Sequence, residues 1–449
     1  MSNRIKYLFL GLVLMLLFGG CASMAEGVTR GLMGDPDKEK KDTRSCDVSG
    51  HTFNGIEPYM VRQEDYFAGG GNPETRPTLK VLMIHGIGYH DTGYSTRFST
   101  NLMRELKLDV KGETAKRIDM AHSLMKDQQL GFMTVSRYFN KSKTREMIFY
   151  ELVWSKIIEK EKSLLKYDDS GTYTHKRADI NKIMKSFANS VGPDPFIYRG
   201  NKKEAVLKTI GQALCWVFSS QWEDLADHQH TMCDAAHISL SEGVLKDDYA
   251  IVTHSLGSKI VIDSLQALAL QSQGGFYGSV KEDIRKKYPK VPQLLASLQK
   301  EELPVFMFAN QLPILQLGRD DPEVTGQIEE YCTEGGPNYH KRLFKELKIM
   351  AFSDPNDILS WEVTPEFEHK KMDSRICPSI TNVSINIAEV VSLLGLGTFA
   401  NPGTAHTGYD GDDRVIKLIV HGIGHDGAAD LIKERCTMLE IVDEKSIKH

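Results

Sequence analysis

The residues best suited to covalent chemistry sit in "YAIVTHSLGSKIVIDSL". Tyr249 to Thr253 form an apolar, β-forming run that leads into His254-Ser255-Leu256-Gly257, and a helical pattern follows at once. A sharp turn from strand to helix lifts a serine above a sheet, where its hydroxyl can attack a carbonyl. Small residues belong beside such a serine because the turn presses backbone against backbone. Gly257 meets that need, whereas Thr253 stands where a glycine would be expected. The helix N-terminus after Ser255 adds a field that favours a developing oxyanion. The blander reading makes Ser255 the N-cap of an ordinary helix. The β-forming residues just before it favour the nucleophile.

A histidine motif occurs twice. HGIG spans His85 to Gly88 and again His421 to Gly424, each time after an apolar run. The contexts differ. "KVLMI" before the first copy is short and strand-like. "DDRVIKLIV" before the second is apolar at 415, 416, 418, 419 and 420, and Asp412 or Asp413 can cap it, so it reads as a buried helix. His421 then falls in the last turn, where a cation is favoured, and Gly422 at a left-handed exit. The second copy is therefore read as a coincidence of letters. A metal site built from His85, His90, His421 and His425 is the rival reading, but Gly-rich spacing sets no helical i, i+4 pair of ligands. No metal is expected.

The elements that must position these residues alternate. Short apolar runs bounded by turn residues lie at 80–84, 147–154, 249–253, 304–310, 347–352 and 382–388. Helical patterns such as 258–271 lie between them. The alternation specifies an α/β fold: a mostly parallel central sheet with helices on both faces. The second and third strands are far apart, and residues at about 157–247 read as a largely helical insertion. It either caps the sheet's C-terminal edge or decorates the periphery. "FANQLPILQLG" (308–318) either lines an acyl site or belongs to the core.

The ends of the chain carry addressing information. Arg4 and Lys6 precede an apolar run at 7–20. As a helix that run spans about 21 Å, short of the roughly 30 Å hydrocarbon core, so residues 1–20 read as a signal peptide. "LFGGCAS" resembles a bacterial lipobox, with Phe18 in place of the usual leucine. That resemblance implies a Cys21 carrying acyl chains such as palmitate, which together hold a protein stably on a membrane. Ala22 after Cys21, rather than aspartate, implies the outer membrane of a bacterial envelope, facing the periplasm. Residues 21–76 read as a tether and 77–449 as one domain carrying the insertion. Cys46, Cys215, Cys233, Cys332, Cys377 and Cys436 remain, and an oxidising compartment permits their pairing. Which pairs form is not a question sequence answers. A net charge of -5 gives no reason to expect nucleic acid as a partner.

Taken in order, "VLMIHGIG", "IVTHSLGS" and "AFSDPNDILS" resemble the α/β-hydrolase family, in particular its lipase and esterase branches, over roughly residues 78–425. The resemblance implies that the loop Gly86 to Gly88 supplies half of an oxyanion hole. Its donors would be the backbone N–H of Ile87 or Gly86 together with that of Leu256, with His85 structural. The family's acid follows a later strand; Asp357, before Ile358 and Leu359, fits best, and Asp354 is the alternative. Asp-Pro-Asn-Asp is also ordinary turn chemistry. The base comes last, in the order Ser, acid, His. A place after the final strand excludes His369 and points to His406 in a Gly/Pro-rich loop; His449 lies at the chain end. The expected function is serine hydrolysis of a carboxylic ester, of a lipid or another acyl substrate, with no cofactor. An inactive hydrolase-fold lipoprotein that only binds a partner is the alternative, and acyl transfer to an acceptor other than water would use the same residues.

Overall fold

The structure, a computed structural model, describes residues 44–112, 114–121, 130–169, 177–219, 221–227, 229–233, 246–272, 291–392, 398–424 and 427–439. The expected signal peptide, Cys21, His425 and His449 lie outside the described residues.

The strands are β1 (Cys46–Gly50), β2 (Leu79–Ile84), β3 (Val110–Lys111), β4 (Lys116–Met120), β5 (Phe132–Phe139), β6 (Glu146–Val153), β7 (Gln229–Thr231), β8 (Asp248–His254), β9 (Glu302–Phe308), β10 (Glu346–Ser353), β11 (Pro378–Ile385), β12 (Val391–Ser392), β13 (Thr398–Phe399) and β14 (Cys436–Leu439). The longer helices are α1 (Glu57–Ala68), α2 (Thr96–Glu105), α3 (Asp179–Val191), α4 (Pro193–Arg199), α5 (Lys203–Ser219), α6 (Leu256–Ser272), α7 (Val291–Leu298), α8 (Pro402–Thr407) and α9 (Asp413–His421). All six expected strands are present, as β2, β6, β8, β9, β10 and β11. The last begins at Pro378 rather than near Asn382.

A 12-stranded sheet runs β14-β1-β11-β10-β9-β8-β2-β6-β5-β4-β7, with β3 beside β5. The six central strands, β11, β10, β9, β8, β2 and β6, pair in parallel. β5 joins β6, and β1 joins β11, antiparallel. Parallel strands covered on both faces lose their alternation of apolar and polar side chains. β2 and β6 are buried along their whole length for that reason. Lys80 is the exception in β2: its Nζ meets Asp247 Oδ2 at 2.8 Å with both side chains fully buried, pinning β2 to the start of β8.

Two cores flank the sheet. Val206, Ile210 and Ala213 of α5 pack with Ile260, Val261 and Leu265 of α6 on one face. Met60 of α1, Phe98 and Leu102 of α2, and Leu418 and Ile419 of α9 fill the other. The region read as insertion therefore does more than cap or decorate, since α5 is part of a core layer.

The expectation of a tether over residues 21–76 needs correction. The ordered fold starts before Thr78: β1 adds a strand to the sheet and α1 covers its face, so residues 46–68 belong to the domain and not to a tether. The six cysteines pair as Cys46–Cys436, Cys215–Cys233 and Cys332–Cys377. The first joins β1 to β14 and closes the domain on itself. The helix expected before the second HGIG is α9, N-capped by Asp412, whose carboxylate accepts from the Arg414 N–H. Gly422 follows it with φ +69° and ψ -161°, which is positive φ but not the left-handed helical exit expected.

Candidate active site

β2 and β8 are neighbours in the sheet, yet the chain leaves β2 toward β6 on one side and joins β8 toward β9 on the other. This is a topological switch point, where the loops after two adjacent strands part and leave a crevice at their C-terminal ends. The first HGIG leaves β2 there, and Ser255 ends β8 there.

Ser255 lies in the one-residue turn between β8 and α6 with φ +53°, a conformation that non-glycine residues rarely adopt. Its N–H donates to the Phe308 carbonyl at 2.9 Å, which holds the turn against β9. Its Oγ is buried and has no hydrogen bond. Such strain in a residue held by its surroundings marks a position worth a functional reading. The two turns meet closely. A Cβ on Gly86 would come within 2.6 Å of Ser255 Cβ and 2.8 Å of the His254 carbonyl oxygen, and one on Gly257 within 2.7 Å of the Ile84 oxygen. Glycine is required at both positions. At Thr253, by contrast, the chain is still in strand register with Ile84 and Met307, and the side chain is buried.

The HGIG loop is held rigid by its own histidine. His85 Nδ1 lies 2.8 Å from the Gly86 carbonyl and must donate to it, which leaves Nε2 to accept from the Trp154 N–H at 3.2 Å. Trp154 Nε1 donates to the His85 carbonyl, and its ring stacks on the imidazole at 5.0 Å. Burial and the neighbouring His90 push the His85 pKa well below its ordinary value, so the ring is neutral and structural. His421 Nε2 meets Glu105 instead, at the end of α9. No cluster of potential metal ligands occurs among the described residues.

Sequence reasoning missed what fixes the far end of this loop. The Gly88 N–H donates to Asp194 Oδ2 at 2.6 Å, and Lys162 Nζ reaches the other carboxylate oxygen at 2.7 Å. Asp194 is fully buried on α4, in the region read as insertion. Burial raises its pKa, opposed by Lys162 and the Gly88 N–H. The Gly88 N–H is thus committed, which leaves Gly86 and Ile87 as the loop's candidate donors.

His406 and Asp357 come together. His406 Nδ1 is 2.8 Å from Asp357 Oδ2, and the Asp357 side chain is fully buried. Asp357 Oδ1 accepts the Leu359 N–H at 2.9 Å. With Nδ1–H donating to the carboxylate, His406 Nε2 carries the free lone pair; that atom is buried and unpartnered, as is Ser255 Oγ. His406 sits on the short helix α8 rather than in a loop. Asn401 caps α8 by accepting from the Gly403 and Thr404 N–H groups, and Pro402 opens it. His254, the residue before Ser255, donates from Nε2 to the His406 carbonyl at 2.8 Å, and the two rings lie 5.0 Å apart. His254 therefore ties the nucleophile-like turn to the helix bearing His406.

Asp354 is spent elsewhere. Oδ1 accepts from Asn356 N and Nδ2, and Oδ2 from the Ile387 and Ala388 N–H groups at 2.7 and 2.9 Å. The Tyr409 hydroxyl accepts the Asp354 N–H at 2.7 Å. Asp354 thus fastens the end of β10 to the segment after β11, while Asp357 faces His406. Asn310, after β9, clamps the same loop by donating from Nδ2 to the Trp361 carbonyl.

No protein-family model matches the chain, and no curated protein or solved structure matches it either.

Proposed function

We propose that the chain is a serine hydrolase with an α/β-hydrolase fold that cleaves a carboxylic ester of a lipid or another acyl substrate. The observation that carries the reading is the strained Ser255 at the β2/β8 switch point, tied through His254 to a His406 whose Nδ1 is already paired with the buried Asp357. In this mechanism Ser255 Oγ attacks the ester carbonyl while His406 Nε2 takes its proton. Asp357 holds the ring in the tautomer that leaves Nε2 free and stabilises the imidazolium. The oxyanion forms at the backbone N–H groups of Ile87 and Leu256, beside Gly86. The alcohol leaves with the proton from His406. Water, deprotonated by the same histidine, then releases the acid and restores Ser255.

The compartment reading supports this one. A lipidated Cys21 would hold the enzyme on the outer membrane facing the periplasm, and three cystines suit an oxidising compartment. A different observation favours the binding-protein alternative: Ser255 is fully buried and makes no hydrogen bond to His406. The experiment is fluorophosphonate labelling of the mature protein in detergent and in lipid, alongside Ser255→Ala and His406→Ala. Labelling lost in both variants supports the hydrolase. An unlabelled, folded protein in both media supports the binding module.

A further inference from the structure

Several of the large apolar side chains exposed among the described residues belong to segments around the switch point. Tyr89 follows Gly88 of the HGIG loop after β2 and Ile358 follows Asp357 after β10, so both sit at the C-terminal end of the parallel strands; Leu317 lies past a short helix after β9, next to Gly318, whose carbonyl accepts from Arg199 of α4. Tyr167, Ile183 and Phe196 lie between β6 and β8 and are brought to the same end. Asp194, two residues before Phe196, is bonded to Gly88 of the HGIG loop; Asp168, next to Tyr167, accepts from Asn189 of α3. Phe196 is 76% exposed and Leu317 64%. Scattered exposed apolar residues need no explanation, but a rim of them around one crevice does.

Two further observations say what covers this end. First, β1 is antiparallel to β11, with Cys46 opposite Ile385, so the chain enters the fold at the C-terminal end of the parallel strands. Arg44 is fastened there, to the Ile387 carbonyl and to Asp412. Twenty-three residues lead from Cys21 to Arg44, so an anchor at Cys21 would join the fold at the end that carries Ser255. Second, exposed Lys182 and Lys185 lie beside Ile183 on α3, Lys185 at 3.8 Å from Asp168, in a chain whose net charge is -5. Apolar side chains framed by lysines suit the boundary between acyl chains and anionic headgroups.

We infer that the end of the molecule bearing Ser255 is a docking surface for a phospholipid bilayer, the one that holds its own anchor, and that the hydrolase draws its acyl substrate from that bilayer. The substrate clause rests on the proposed hydrolase; the docking clause rests only on the proposed anchor at Cys21. The test reconstitutes the mature, lipidated protein into vesicles of phosphatidylcholine and phosphatidylglycerol doped with a photoactivatable phosphatidylcholine, and maps adducts by peptide mass spectrometry. Docking gives adducts on the peptides carrying Tyr167, Ile183, Phe196 and Leu317. Ser255→Ala leaves that pattern unchanged, so loss of catalysis and loss of docking are told apart. Phe196→Glu combined with Leu317→Glu, both surface changes, lowers those adducts about tenfold or more, with the far-ultraviolet circular dichroism of the parent. Adducts confined to residues before Arg44, or equally dense at the opposite end around Lys246 and Glu301, overturn the inference.

Discussion

Asp357 and Asp354 lie three residues apart in one turn, and their contacts assign them different work that two isosteric substitutions can separate. Asp357→Asn keeps the shape of the side chain but replaces one oxygen with an amide that donates. If that amide faces His406, it forces the proton onto Nε2, and the ring can no longer take the Ser255 proton. If it turns away, it meets the Leu359 N–H, so the buried site opposes either placement. Loss of the correct tautomer at such a position costs about 10⁴ in kcat, or about 5 kcal/mol of transition-state stabilisation. Asp354→Asn fails differently. The carboxylate accepts four hydrogen bonds, two on each oxygen, and an asparagine leaves two of those donors facing an amide. Bonds to a charged acceptor are worth about 1.5–3 kcal/mol each, so about 3–6 kcal/mol of stability is lost. The assay is the second-order rate of fluorophosphonate labelling beside thermal unfolding followed by circular dichroism. Asp357→Asn should label about 10⁴-fold more slowly with a small change in Tm. Asp354→Asn should melt much earlier, while its folded fraction labels within about an order of magnitude of the parent. The reverse pattern would refute the assignment of the acid, and equal stability losses without loss of labelling would refute the mechanism.

Three more outcomes follow from the same geometry. Ser255→Gly relieves the positive φ and removes a buried hydroxyl that has no partner, so it should abolish labelling and yet raise stability by about 1 kcal/mol, read as a higher Tm; a lower Tm would mean that the turn is not strained. Asp194→Asn weakens the hold on Gly88 from a distance, and a small displacement of the HGIG loop should lower kcat about 10- to 100-fold with little change in KM; an unchanged kcat would remove Asp194 as a positioning residue. His254 is pushed toward its neutral form by burial and by His406 beside it. A histidine whose folded pKa is depressed contributes stability that is present above its unfolded pKa, about 6.5, and is lost as the pH falls below it. Stability measured by denaturant from pH 8 to 5 should therefore fall less steeply in His254→Asn than in the parent, and parallel curves would contradict the buried, neutral ring.

The parts legible in the sequence are those that local physics determines. β2, β6, β8 and β9 are buried along nearly their whole length, so each reads as a largely apolar run, whereas β11 alternates and is legible only from its apolar second half. The turn at Ser255 is legible because a strand, a small-residue turn and a helix follow one another without a gap. α9 is legible through its period and its aspartate cap, and that distinguished the two HGIG copies. What escaped notice depends on partners distant in the chain. β1 is a short strand with only Cys46 and Val48 fully buried, and its place in the sheet is set by Ile385 and Cys436, hundreds of residues away. α1 buries only Met60 and Gln63, too weak a stripe to stand out from a polar linker. Asp194 looks like any helix-start aspartate until Gly88, 106 positions earlier in the chain, is seen to bond it. The choice between Asp354 and Asp357 turns on two N–H groups, of Ile387 and Ala388, that only the folded sheet brings near.

This division has a physical cause. A nucleophile needs a local conformation, and that leaves its mark in neighbouring residues. In the proposed hydrolase, its acid, its base and the buried groups that hold its loops need only arrive at the same place. The switch point between β2 and β8 brings them there, so any loop leaving a C-terminal strand end can contribute. Asp357 comes from the loop after β10, His406 from the segment after β11, and Asp194 from the long segment between β6 and β8. For such residues the sequence constrains the type and the chain order, whereas the particular position is set by which backbone N–H groups the sheet has already claimed. That explains why Asp354, equally suited by type and order, is excluded as the partner of His406: its four acceptor sites are filled before the imidazole is reached.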